Sequence, residues 1–162
     1  EACREVLAAF RGLHHRLEWV ADLKGVSFYD DSKGTNVGAV ATSLAHFDRP
    51  VILIAGGRDK DSDFSLVNDL IAARVKALVL IGETRERLAQ VWQGLAPSYL
   101  ADGMAAAVAR AWELSRPGEV VLLSPACASF DMFDNYEHRA RLFVQAVQAL
   151  ALEAGDMLEG SL

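Results

Sequence analysis

Residues 51–61 read VILIAGGRDKD, and this stretch decides the fold. Five apolar residues run together without alternation, and three of them, Val51, Ile52 and Ile54, are β-branched. A strand of that kind has no solvent face, so helices must cover it on both sides, the arrangement of a parallel sheet. It stops at Gly56-Gly57, where charged residues begin. The same pattern recurs on either side. ALVLI at 77–81 ends at Gly82, VVLL at 120–123 ends at Ser124, and VSFYD at 26–30 ends in a polar run. Helical periodicity fills the gaps at about 35–47, 64–74, 84–93, 104–114 and 130–152, with Thr84 placed to cap the third of these. Tyr99–Leu100 reads as a short strand and Arg116-Pro117-Gly118 as a turn. The expectation is an α/β domain with a mostly parallel sheet flanked by helices and right-handed crossovers.

This domain spans 13–154. Residues 1–12 (EACREVLAAFRG) read as the last helix of a preceding unit, and 155–162 as a loose tail. The chain opens on Glu1 with no initiator Met, which points to a fragment of a longer protein. Its 162 residues suit one domain, and 52% hydrophobic with 23% charged residues is a globular composition. A net charge of −6 disfavours nucleic acid as a partner. No apolar run approaches the roughly 18 residues of a membrane span, and no signal peptide is seen, so a cytoplasmic protein without membrane insertion is expected. Cys3 and Cys127 form no paired motif. His14, His15, His46 and His138 lack ligand spacing, so no metal site is expected within the chain.

In a parallel sheet, ligands bind beyond the carboxyl ends of the strands. Three loops should meet there: DDSKGTN at 30–36, GGRDK at 56–60 and SPACAS at 124–129. The first puts Lys33 before a helix N-terminus, where backbone N–H groups and the helix dipole favour an anion. Its plainer reading is that Ser32 or Thr35 caps the helix. The second carries Arg58 and Lys60 among aspartates, and Asp63 or Ser65 offers a cap for the next helix. Cys127 in the third reads as a small buried residue and not as a nucleophile. Phe130, Phe133 and Tyr136 read first as packing, though Asn135 and Tyr136 can equally reach a ligand. Arg16 is as easily a solvated linker residue as a phosphate ligand. Two lysines at neighbouring strand ends of an acidic domain indicate a small anionic ligand, and the residues alone do not name it.

Four ordered blocks carry a resemblance: GLHHRLEWV, FYDDSKGTNVGAV, LIAGGRDKDSDFS and VVLLSPACASFDMFDNYEHRA. From about Gly12 to Gln148 the chain resembles the Mur ligases, and among them the D-glutamate-adding branch, to which DSKGTN and SPACASFDMF are specific. The resemblance implies a Rossmann-like three-layer sandwich, the C-terminal amino-acid-binding domain of a three-domain ADP-forming ligase of peptidoglycan synthesis. It implies D-glutamate and UDP-N-acetylmuramoyl-L-alanine as substrates, joined through an acyl phosphate. ATP and Mg2+ would be bound mainly by the central domain, so this chain alone would not catalyse the reaction. By resemblance, Lys33, Thr35, Lys60, Ser129, Phe130 and Tyr136 contact D-glutamate, and Arg16 and Asp31 contact the nucleotide. The family often has Phe where Tyr136 stands, and usually Gly where Ala140 stands. A ligase with another amino acid and a non-catalytic anion-binding module are the competing expectations.

Overall fold

The computed structural model of the chain describes residues 13–155. Four parallel strands form the body of the sheet: β2 (Val26–Asp30), β3 (Val51–Gly56), β4 (Val75–Ile81) and β6 (Val120–Leu123). Short edges flank them, β1 (Glu18–Leu23) and β5 (Ser98–Leu100), in the order β1-β2-β6-β3-β4-β5. Only β1 runs antiparallel, paired to β2. That strand was not expected. Its side-chain alternation is broken by an irregularity between Trp19 and Ala21, which removes the period-two signal. Lys24 and Gly25 (φ 47° and 82°) form the two-residue turn into β2.

The non-alternating strands are explained by two cores. Ile52, Ile54, Val79, Ile81, Val121 and Leu123 face one layer. There they meet α4 (Met104–Leu114) and α5 (Tyr136–Ala154). Leu53, Leu78, Leu80 and Leu122 face the other, against α1 (Val37–His46), α2 (Asn68–Arg74) and α3 (Arg85–Val91). The result is the expected three-layer α/β sandwich. Each fully buried aliphatic side chain contributes roughly 1.5–3 kcal/mol by leaving water.

Helix starts differ from expectation where caps were misassigned. Asn36, not Ser32 or Thr35, caps α1 by accepting from Ala39 N at 2.9 Å. The expected 64–74 helix divides into a 3-10 turn at Phe64–Val67, capped by Asp63, and then α2. Thr84 makes no side-chain cap to α3. The long helix starts at Tyr136 and not at Phe130, because Ser129 O turns the chain by accepting from Met132 N and Phe133 N. Asn135 then caps it through His138 N. The expected helix at 1–12 and nearly all of the tail lie outside the described residues. Among those described, no helix is long and apolar enough to cross a membrane.

Candidate functional site

The loops after β2, β3, β4 and β6 interlock at the carboxyl end of the sheet. Ala126 N donates to Gly34 O (3.1 Å) and Gly56 N to Pro125 O (2.9 Å). Arg58 and Ala128 exchange backbone bonds at 3.0 and 3.1 Å, and Thr84 N donates to Gly57 O at 3.1 Å. Thr84 Oγ1 accepts from Gly57 N (3.2 Å), the use that takes it away from capping. Close backbone approach makes glycine necessary at Gly56, where φ is 120° and a Cβ would overlap Ile81 O. His15, Leu17 and Ala126 hold positive φ without being glycine. Such local strain persists only where surrounding bonds impose it.

Two buried aspartates organise the first loop. Asp31 Oδ2 accepts from Ser43 Oγ and Ser124 Oγ, both at 2.7 Å, and Oδ1 from Leu17 N at 3.2 Å. Asp30 accepts from His15 Nδ1 (2.7 Å) and Ser32 N (2.8 Å). Burial pushes both carboxyls above their ordinary value, against the opposing effect of these bonds. Arg139 is the third buried charged group. Its Nε donates to Ser32 Oγ (3.0 Å), one terminal nitrogen to Ser32 O (2.6 Å), and the other to Cys127 O (3.0 Å). Burial lowers its pKa to about 10, which leaves it charged at neutral pH.

Two cavities open beside these groups. One, about 350 Å³, is lined by Arg16, Asp31 and Lys33 and by the first turn of α1 through Gly38 and Ala39. The other, about 680 Å³, is lined by Leu13, His14, His15, Lys33, Tyr136 and Glu137. Lys33 belongs to both. Its Nζ stands 5.9 Å from the centre of the Tyr136 ring. The structure therefore joins Arg16, Asp31, Lys33 and Tyr136. Lys60, Thr35, Ser129 and Phe130 line neither of these two cavities. Lys60 is exposed on the 57–63 loop, Thr35 is half-buried, Ser129 is buried, and Phe130 is 64% exposed.

Cys127 is buried, its Sγ 3.5 Å from Thr84 Oγ1, and burial pushes its thiol upward. This is a packed residue and not an activated nucleophile. His15, Glu18 and Asp30 lie close enough to share an ion. They already bond to one another and to neighbours, with His15 N and His14 Nδ1 on Glu18 at 2.9 and 3.1 Å. His15, Ser43, Ser124 and Arg139 were missed from sequence. Arg139 had a signal: it shares the buried stripe of α5 with Ala140, Phe143, Val147 and Ala151, and a charge on an apolar stripe needs partners.

Residues 15–127 match the family described as Mur ligase, glutamate ligase domain. A UDP-N-acetylmuramoylalanine–D-glutamate ligase of Geotalea uraniireducens is 50% identical over 149 residues, covering 92% of this chain and 33% of that protein. The ligase of the same name from Aromatoleum aromaticum is 52% identical over 146 residues, covering 89% and 31%. The chain thus spans about a third of the length of these relatives. Among solved structures, a MurF ligase of Thermotoga maritima in complex with ADP superposes with a TM-score of 0.60 at 14% identity, over 90% of this chain and 34% of that one. A murein peptide ligase of Psychrobacter arcticus gives 0.59 at 13% identity, over 88% and 32%. At such identities the structures speak for the fold.

Proposed function

The chain belongs to the Mur ligase family, and from that premise we propose that residues 13–154 are the amino-acid-binding domain of a UDP-N-acetylmuramoyl-L-alanine–D-glutamate ligase of the cytoplasm. Residues 1–12 then end its central domain or form the linker from it. The observation that carries this reading is Lys33, which forms a wall common to two cavities at the carboxyl end of the sheet. One lysine there can face two anions at once.

The smaller cavity suits phosphate oxygens. Arg16 and Lys33 bring positive charge, and the ten-residue α1 directs its N-terminus there. ATP would supply the phosphoryl group that activates the alanyl carboxylate. Both Asp31 oxygens are held by Ser43, Ser124 and Leu17 N, so Asp31 shapes this wall and Mg2+ falls to another domain. The larger cavity, with Lys33 and Tyr136, takes D-glutamate. Thr35, Lys60, Ser129 and Phe130 complete that pocket in the assembled enzyme. The large exposed ring of Phe130 fits a surface that meets the rest of the protein. This chain's part in the reaction is to hold the amino acid in place and in orientation.

The test is ADP release by the full-length ligase carrying this domain, with UDP-N-acetylmuramoyl-L-alanine, magnesium and a panel of amino acids. Release that requires D-glutamate is expected. Release dependent on L-lysine, L-glutamate or diaminopimelate would replace the pocket assignment, and no release with any of them would leave a binding module.

A further inference from the structure

Arg139 is fully buried at the fourth position of α5, yet all three of its hydrogen bonds go to neutral oxygens. Asp30, Asp31 and Asp131 act on it only through space. Burying a guanidinium costs stability unless its geometry is used. Here the geometry joins two loops. Nε and one terminal nitrogen hold Ser32, one residue before Lys33, and the other terminal nitrogen holds Cys127 O, two residues before Ser129. Ser32 Oγ passes the connection on by donating to Tyr136 O at 2.7 Å, at the start of α5. The planar fork thus touches the loop bearing Lys33, the loop bearing Ser129, and through Ser32 the residue whose ring stands by the Lys33 ammonium.

We infer that Arg139 is a positioning residue of the amino-acid pocket, a clamp that holds the loop bearing Lys33 against the start of α5 at Tyr136 and against the loop bearing Ser129, without touching the substrate. The inference rests on the reading of that pocket as the D-glutamate site. An ammonium cannot reproduce the clamp, because a single nitrogen has no rigid fork with which to grip Ser32 and Cys127 together. Charge at this position and geometry at this position are therefore separable.

The experiment uses the full-length ligase carrying this domain, with the Arg139→Lys, Arg139→Gln and Ser32→Ala variants. Unfolding temperature and the KM values for D-glutamate and ATP are measured for each. In Arg139→Lys the D-glutamate KM should rise roughly tenfold and the ATP KM by clearly less, because Arg16 and the N-terminus of α1 still face the smaller cavity. Ser32→Ala, which removes one arm and leaves the charge, should raise the D-glutamate KM by roughly threefold to tenfold. Full rescue by lysine would overturn the clamp in favour of charge alone. A D-glutamate KM unchanged in folded Ser32→Ala enzyme would overturn it too, as would a proportional rise in both KM values. If Arg139→Gln does not fold, the other two variants decide. Whether the unmodified enzyme requires D-glutamate at all is read separately, so a failed pocket assignment is not mistaken for a failed clamp.

Discussion

At the amino end of the sheet, charges pair in the open. Lys76 Nζ meets Glu119 at 2.9 Å and Arg74 meets Asp48 at 3.5 Å, each pair with an exposed or half-exposed partner. At the carboxyl end open pairs such as Arg58–Glu83 also occur, but beneath them lies a set of buried polar groups. Asp30, Asp31, Ser32, Ser124, Ser129 and Arg139 are all nearly inaccessible. Both ends close the same sheet, so closing it does not require buried charge. The extra cost at one end must be offset by what that end does, and it is the end where Lys33 stands between two cavities.

The strongest way to break this comparison is Gly56→Ala. The new methyl meets Ile81 O in a backbone conformation closed to L-residues. It should cost about 3 kcal/mol or more. The denaturant midpoint of the 162-residue chain measures it, and a loss below about 1 kcal/mol would mean that the interlocked loops yield easily. The next test sets one lysine of each end against the other. In the parent ligase, Lys33→Ala should lower kcat/KM for D-glutamate roughly 100-fold. Lys76→Ala should leave it within about twofold and cost at most about 1 kcal/mol of stability. Similar kinetic losses for the two would erase the distinction between the ends.

The smallest effect sharpens the comparison through pH. Burial raises the carboxyl of Asp31 above 3.8 in the folded chain. Between its unfolded and folded values the native state binds more protons than the unfolded one, so this group's contribution to stability grows as pH falls through the folded value. Asp31→Asn lacks that gain. Whatever offset the variant shows at pH 7, the stability difference should move against it on acidification. A difference that stays constant from pH 7 to pH 4 would mean Asp31 titrates normally.

Much of the fold was legible because turn chemistry bounds it. β2, β6 and α4 begin and end where the sequence places them, next to glycine, proline or a polar run. β1 was not legible, since an irregular edge strand has no clean alternation. Caps were misjudged where several candidates stood together, as at Ser32, Thr35 and Asn36, and only the three-dimensional direction of the chain chooses among them. In the candidate site, Lys33 was legible from its place between a strand and a helix. Arg139 was legible only as a charge on an apolar stripe, and its partners, 12 and 107 residues away, were not. No local pattern encodes such a contact.

The place of β6 has a consequence for how the chain is made. It is the last strand in sequence, yet it lies between β2 and β3. As the polypeptide leaves the ribosome, the β1–β2 hairpin and the β3–β4–β5 unit have no edge in common until residues 120–123 emerge. Non-local parallel pairing of this kind is slow and leaves strand edges open meanwhile. The closing strand also delivers Ser124, Cys127 and, through α5, Tyr136 and Arg139. The binding end of the sheet is the final part to be completed, and a nascent chain halted before β6 has neither a joined sheet nor the Tyr136 wall of the larger cavity.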